Sequence, residues 1–349
     1  MKTPGGVVEQ LRSRAFTHKR TIVFADGTDP RVYSAASYLA CVTSIHPILI
    51  GSAQSIKAMS KPLSASPDME IYDPATDLRQ EVLTEVAASR DKIRSASKRT
   101  GMAIQDMLRE PVLSGALFVQ SGFADGMVGG ADVPTADVIR AGIRAVGLDP
   151  KCPIVSGSFA MILPGGIAGS NRVIVFGDSA VVPNPTAQQL GFITVNTADV
   201  AKTVVGLDPV VALLSFSTKG SAEDASITPI RETLMWLRNN VPDLIVDGEL
   251  QADAALIPEI GQKKAPESTV AGRANVLIFP NLAAGNIAYK LVERLAGATA
   301  LGVILSGLAR PINDLSRGCS VDDIINMAAV TVLQGLQERH AIYGMEGRP

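Results

Sequence analysis

Cysteine and histidine are both scarce in this sequence, with three of each among 349 residues. Cys41, Cys152 and Cys319 are odd in number and far apart, so neither a disulfide framework nor a Cys-x-x-Cys metal site can be drawn from them, which fits a reducing cytoplasm. His18, His46 and His340 are equally scattered, and a zinc site is not expected. An excess of one charge is missing too: 32 Lys and Arg stand against 34 Asp and Glu, a net charge of -2. A nucleic-acid or anionic-membrane partner would require a basic patch, so neither is expected. The longest apolar stretch, around residues 295–308, is broken by Gly297, Gly302 and Gly307 and is too short to span a bilayer. Residues 1–20 carry Arg12, Arg14, Lys19 and Arg20 and no apolar core of signal-peptide length, so a soluble protein is expected. No Gly-x-Gly-x-x-Gly follows a strand and no convincing aspartate cluster occurs, which counts against a metal- and NAD-dependent hydroxyacid dehydrogenase.

What is present is a long α/β pattern. The length exceeds one ordinary core, so two domains are expected, and 46% hydrophobic with 19% charged residues is the balance of a soluble globular protein. Residues 21–25 read as a buried strand ending in Asp26-Gly27, residues 31–42 as a helix, and residues 48–51 and 69–72 as two further strands. That rhythm predicts a parallel sheet with right-handed crossovers. From 78 to 120 the pattern turns helical, with Arg90, Lys92, Arg94, Lys98 and Arg99 on or just after the first of these helices. A strand then enters a glycine-rich turn over 125–130, and Thr135 reads as the N-cap of the next helix, which carries Arg140.

Near Lys151-Cys152-Pro153 the chain reaches a domain crossing. Residues 154–163 and 172–176 read as an antiparallel hairpin about the turn-rich stretch 164–170. Strands over 210–215, 244–247 and 276–280 each precede a helical pattern, with Asp247-Gly248-Glu249 read as a turn and Asp253 as turn or cap chemistry. Lys290 and Arg294 lie four apart on a helix over 286–295. The boundaries that follow are 1–151 plus 307–349 for domain I and 152–306 for domain II.

The densest chemistry lies at 307–323, after an apolar run at 301–305 that reads as a buried parallel strand and before a helix over 324–336. A loop between strand and helix is the usual place for a site in such a protein. Ser316 and Arg317 set a hydroxyl beside a guanidinium fork, and Gly318 lets the backbone approach a ligand, a combination suited to a phosphate or acyl phosphate. Asp323 has two readings. Three residues after Ser320 it completes a capping box, and at a helix N-terminus it is also favoured as the ionised carboxylate that a general base must be.

The stretch Gly307-Leu308-Ala309-Arg310-Pro311-Ile312-Asn313-Asp314-Leu315-Ser316-Arg317-Gly318-Cys319-Ser320 resembles the C-terminal signature of the phosphate acetyltransferases and butyryltransferases at nearly every position. Further blocks fall in family order: Ala124 through Ala131, Thr135-Ala136-Asp137, Pro183 through Ala187, Asp247 through Asp253, and Ala271 through Pro280. Val133-Pro134 is less polar than that family is just before Thr-Ala-Asp. The resemblance implies two α/β domains of the isocitrate/isopropylmalate dehydrogenase-like type with a cleft between them, and a homodimer. It implies reversible acetyl transfer between acetyl phosphate and coenzyme A, with inorganic phosphate as the other product, no tightly bound cofactor and no metal. Asp323 would be the base, Arg317 and Ser316 would act at the reacting centre, and Arg94, Arg140, Arg294, Thr135 and Asn313 would bind phosphate or substrate. Arg99 competes with Arg94 for its place. The cytoplasm is the expected location, with a microcompartment lumen the other possibility, and acetate kinase the expected metabolic neighbour. Two alternatives within the resemblance are a propionyl- or butyryl-preferring enzyme, which pocket size alone would separate, and a non-catalytic acetyl-CoA-sensing domain.

Overall fold

A computed structural model of the chain describes residues 6–59, 68–164 and 172–336. The chain divides into two compact units, Met1–Asp149 with Leu308–Leu336, and Pro150–Gly307. Positions 165–170 of the expected hairpin turn, and His340, lie outside the described residues.

The first unit opens with α1 (Val7–Phe16), β1 (Arg20–Phe24), α2 (Pro30–Val42), β2 (Ile45–Ile50), α3 (Ala53–Met59) and β3 (Glu70–Tyr72). The helical stretch becomes α4 (Arg79–Ser89), α5 (Asp91–Thr100), α6 (Ile104–Met107) and α7 (Pro111–Ser121), followed by β4 (Gly126–Gly129) and α8 (Thr135–Ala145). Pro30 and Pro111 occupy the first helical positions, where a missing N–H costs nothing and φ is preset. Asp29 caps α2 by accepting from Arg31 N.

The second unit contains β5 (Ser156–Leu163), β6 (Arg172–Gly177), α9 (Ala187–Val200), a π-helical turn at Ala201–Val205, β7 (Val211–Leu214), α10 (Thr228–Asn240) and β8 (Val246–Leu250). It closes with α11 (Ala252–Leu256), α12 (Pro258–Lys264), β9 (Val276–Ile278), α13 (Leu282–Ala296) and β10 (Thr299–Ser306). Its sheet runs β10-β5-β6-β9-β7-β8, with β5 antiparallel to both β10 and β6 and the remaining pairs parallel. The hairpin is therefore present, but the 301–305 run is not a parallel strand: it belongs to β10, an edge strand antiparallel to β5. An apolar run records burial and carries no information about direction. Asp247, Gly248 and Glu249 likewise lie within β8 rather than in a turn. Their carboxylates are held by partners distant in sequence, Asp247 by Lys219 and Ser268, and Glu249 by Arg231. Asp253 pairs with Lys264 at 2.8 Å.

The chain then returns to the first unit as β11 (Ile312–Asp314) and α14 (Val321–Gly335). The first sheet is fully parallel in the order β11-β4-β1-β2-β3. Thus the stretch after β10 is a crossing into the first unit, a three-residue strand, and only then the loop into a helix. α14 is buried at every position from Ile324 to Gln334 and packs on α1, α2 and β4, while α7 packs on β1, β2 and β4. Gly126 permits the contact with α14, since a Cβ there would lie 2.4 Å from Thr331 Cγ2.

Candidate active site

In a parallel sheet the carboxyl ends of the strands share one edge, so the loops after β1, β4 and β11 emerge side by side. Pairing of Phe24 with Val128 and of Asn313 with Val128 puts these ends in register. Leu315 N donates to Gly129 O at 2.7 Å, carrying the β11 register into the loop.

The loop after β11 is a tight turn. Cys319 N donates to Ser316 O at 2.9 Å, and Gly318 N to Ser316 Oγ at 3.3 Å. Ser316, Arg317 and Gly318 are exposed, whereas Cys319 is buried. Burial pushes the Cys319 thiol up, with the nearby Arg31 pulling the other way, so it is poorly placed to act as a thiolate. Ser320 then caps α14: Asp323 N donates to Ser320 Oγ at 3.2 Å, while Ser320 N and Oγ donate to Asp323 Oδ2 at 2.9 and 2.8 Å. The capping box of the sequence is formed, and Asp323 itself is exposed.

Thr135 is not the cap of α8. Pro134 holds that position, Thr135 is the first helical residue, and its hydroxyl donates to Asp314 Oδ2 at the end of β11. A threonine side chain satisfied by a carboxylate has no reason to turn back on its own helix. Asp314 is 1% exposed, and its Oδ1 has no hydrogen-bond partner. Burial, the Thr135 bond notwithstanding, together with the charge of Asp26 pushes its carboxyl up to about 7. Asp26, after β1, accepts from Gly130 N at 2.9 Å and Ala131 N at 3.1 Å, yet burial still raises it. Gly130, at φ +103°, must be glycine twice over: a Cβ would lie 2.2 Å from Asp314 Oδ1.

The remaining expected residues are dispersed. Asn313 is wholly buried and donates to Thr331 Oγ1 at 2.9 Å and Gln334 Oε1 at 2.7 Å, binding β11 to α14. Arg140 pairs with Asp137 and lines a cavity of about 340 Å³ between α5 and α8 with Lys92, Ser95, Arg99 and Arg144. Arg99 lines that cavity and Arg94 does not; the Arg94 guanidinium is turned to Ala88 O and Asp91. Arg294 belongs to the second unit, on α13, 81% exposed and 3.8 Å from Glu293.

Sequence reading passed over Asp26, Asp29, Arg31 and Asp314. Asp29 carried a local signal, a capping residue before a proline at the first helical position, and Asp314 stood in the 307–320 signature with no role assigned to it. Asp26, Arg31 and Asp314 act through partners about a hundred to nearly three hundred residues away.

These two units, one with a Ser-Arg turn at the carboxyl edge of a parallel sheet, define a protein of two-unit α/β architecture. A candidate 4-hydroxythreonine-4-phosphate dehydrogenase from Salmonella typhimurium shares the fold at a TM-score of 0.51 and 12% identity, over 90% of this chain and 99% of that one. The chain belongs to the phosphate acetyl/butaryl transferase family, whose profile matches residues 6–332. A phosphate acetyltransferase of Thermoanaerobacterium thermosaccharolyticum is 41% identical over 328 residues, which is 94% of this chain and 99% of that protein. A phosphotransacetylase from Streptococcus pyogenes superposes with a TM-score of 0.84 at 37% identity, over 94% of this chain and 98% of its own.

Proposed function

We propose that this protein is a phosphate acetyltransferase, interconverting acetyl phosphate and coenzyme A with acetyl-CoA and phosphate at the Ser316–Asp323 segment. The observation that carries the reading is the turn itself: its backbone is fixed, and the Ser316 and Arg317 side chains stand exposed at the carboxyl edge of the parallel sheet.

Coenzyme A presents a thiol whose unperturbed pKa is about 8.5, so little thiolate exists at neutral pH without a base. Asp323 takes that proton; one of its oxygens holds the capping box, and the carboxylate is exposed. The sulfur attacks the acetyl carbonyl carbon, a C–S bond forms, and the bond from that carbon to the oxygen bridging to phosphorus breaks, its electron pair leaving on phosphate. Arg317 stabilises the charge gathering on those oxygens, and Ser316 hydrogen-bonds the thiol or the leaving oxygen. The raised thiol of Cys319 favours this direct transfer over an acyl-cysteine route. Anionic parts of the substrates fall to the arginines, with Arg99 alongside Arg140 a better pair than Arg94, since those two share a cavity. Arg294, which the family resemblance also assigns to phosphate, lies exposed on the second unit. Thr135 and Asn313 support the site through Asp314 and α14 rather than by touching substrate.

The test is thioester formation, followed by absorbance, with acetyl, propionyl and butyryl phosphate in parallel, with and without EDTA. Rapid EDTA-resistant turnover that is fastest with acetyl phosphate is expected. A butyryl preference would reassign the acyl chain. No turnover alongside acetyl-CoA binding would replace the enzyme with a sensing domain.

A further inference from the structure

We propose that Arg31 is a positioning residue for Arg317: one guanidinium ties together the three loops at the carboxyl edge of the first sheet and sets the turn that presents the Arg317 side chain. The proposal rests on the acetyl-transfer reading above.

Every N–H of the Arg31 fork has an acceptor. Nε and Nη2 bind the Asp29 carboxylate at 3.1 and 2.7 Å, in the loop after β1. Nη2 also donates to Ala131 O at 3.1 Å, in the loop after β4. Nη1 donates to Arg317 O at 2.8 Å and to Cys319 O at 3.0 Å, in the loop after β11. Those two carbonyls flank Gly318, the most permissive point of the turn. Without Nη1 the turn keeps, among the described residues, its internal bonds, Cys319 N to Ser316 O and Gly318 N to Ser316 Oγ.

Helix capping does not account for this side chain. Asp29 already caps α2 through the backbone N–H of Arg31 at 2.7 Å, a bond that any residue but proline at position 31 would supply. A lysine could not replace the fork, because three tetrahedral donors cannot reach a carboxylate and three carbonyls spread over three loops. Asp29 also neutralises Arg31, so that a second cation can sit beside Arg317 without competing for the same anion.

The experiment uses the full chain with Arg31→Lys and Arg31→Met, each alone and combined with Arg317→Ala. kcat and KM are measured together with hydrogen exchange at Gly318 and Cys319. We expect Arg31→Lys to lower kcat by about 10²-fold, the scale of a misplaced catalytic group, with KM for coenzyme A little changed and turn exchange accelerated. In the Arg317→Ala background the same change should cost almost nothing more, because both variants remove one function. Wild-type kcat in Arg31→Lys, or losses that multiply, would overturn the proposal, as would unchanged exchange of the turn. If the unaltered protein forms no thioester, the acetyl-transfer reading falls and the Arg317 role with it, while exchange alone reports whether Arg31 holds the turn.

Discussion

Arg317 and Asp323 stand six residues apart on either side of a helix cap, and their neighbours leave them different freedoms. Among the described residues Arg317 is held by its backbone, through the carbonyl that accepts from Arg31. Its side chain is available for a developing negative charge, a role whose loss resembles removal of an oxyanion donor. Arg317→Ala should lower kcat by about 10²-fold or more, measured by thioester formation; turnover near wild type would displace Arg317 from the reaction. Asp323 has a structural duty already, accepting two bonds from Ser320. Asp323→Asn keeps one acceptor oxygen, so a stability loss of about 1 kcal/mol or less is expected in denaturant unfolding. Its activity should fall far more steeply than its stability. An active, slightly destabilised variant would leave Asp323 a cap and nothing else.

At the scale of elements, β11 couples the two ends of the site. Asn313 fastens it to α14, and Asp314 fastens it to the first turn of α8. The carboxyl that accepts the second bond is pH-sensitive for another reason: burial and the charge of Asp26 disfavour its ionised form, against the Thr135 bond. Asp314 titrates near 7 in the fold against 3.8 for the free side chain, so the folded state holds a proton that the unfolded chain has released. Its contribution to stability is complete below about pH 4 and is lost as pH rises through about 7, a span on the order of 4 kcal/mol before any relaxation. Asp314→Asn retains an oxygen for the Thr135 hydroxyl and cannot ionise. We expect the variant to lose much of the fall in melting temperature that the wild type shows between pH 5.5 and pH 8. Parallel pH curves for the two proteins would show that Asp314 is ionised in the fold. The same strand explains why Gly130 is required, since the loop after β4 passes too close to the Asp314 carboxyl to leave room for a Cβ.

At the scale of the molecule, the first unit is discontinuous in sequence, and its last two elements arrive only after the whole second unit has been traversed. That arrangement joins a turn near residue 317 to a helix cap near residue 30, contacts whose loop closure must be compensated by burial, which α14 supplies along its length. Among the described residues no helix is long and apolar enough to cross a membrane. On the second unit, α13 leaves Ile287, Leu291 and Leu295 exposed at four-residue spacing, and only Gly285 of that helix is buried. Such a stripe is what a second copy of the chain would cover, and we propose a homodimer through it. Leu291→Glu should shift the protein towards monomer in sedimentation at micromolar concentration. A wild-type monomer, or a variant that stays dimeric, would exclude this face.

Local order was legible in the sequence because it is local chemistry. Apolar runs marked β1, β2 and β7, the Ser320–Asp323 capping box marked the start of α14, and the Ser316-Arg317-Gly318 triplet marked the turn. Direction and partnership were not legible. The 301–305 run gave no sign that β10 is antiparallel, Asp247 and Glu249 resembled turn residues until their cations were placed, and Thr135 resembled a cap until Asp314 stood beside it. By itself the sequence determined which residues could form strands, helix ends and an anion-binding turn, since those depend on side-chain volume, backbone freedom and hydrogen-bonding groups within a few positions. Only the tertiary structure decided that Arg31 holds that turn and that Arg99 rather than Arg94 shares a cavity with Arg140. Hydrogen bonds and desolvation act over a few ångströms of space, however many residues of chain lie between the partners.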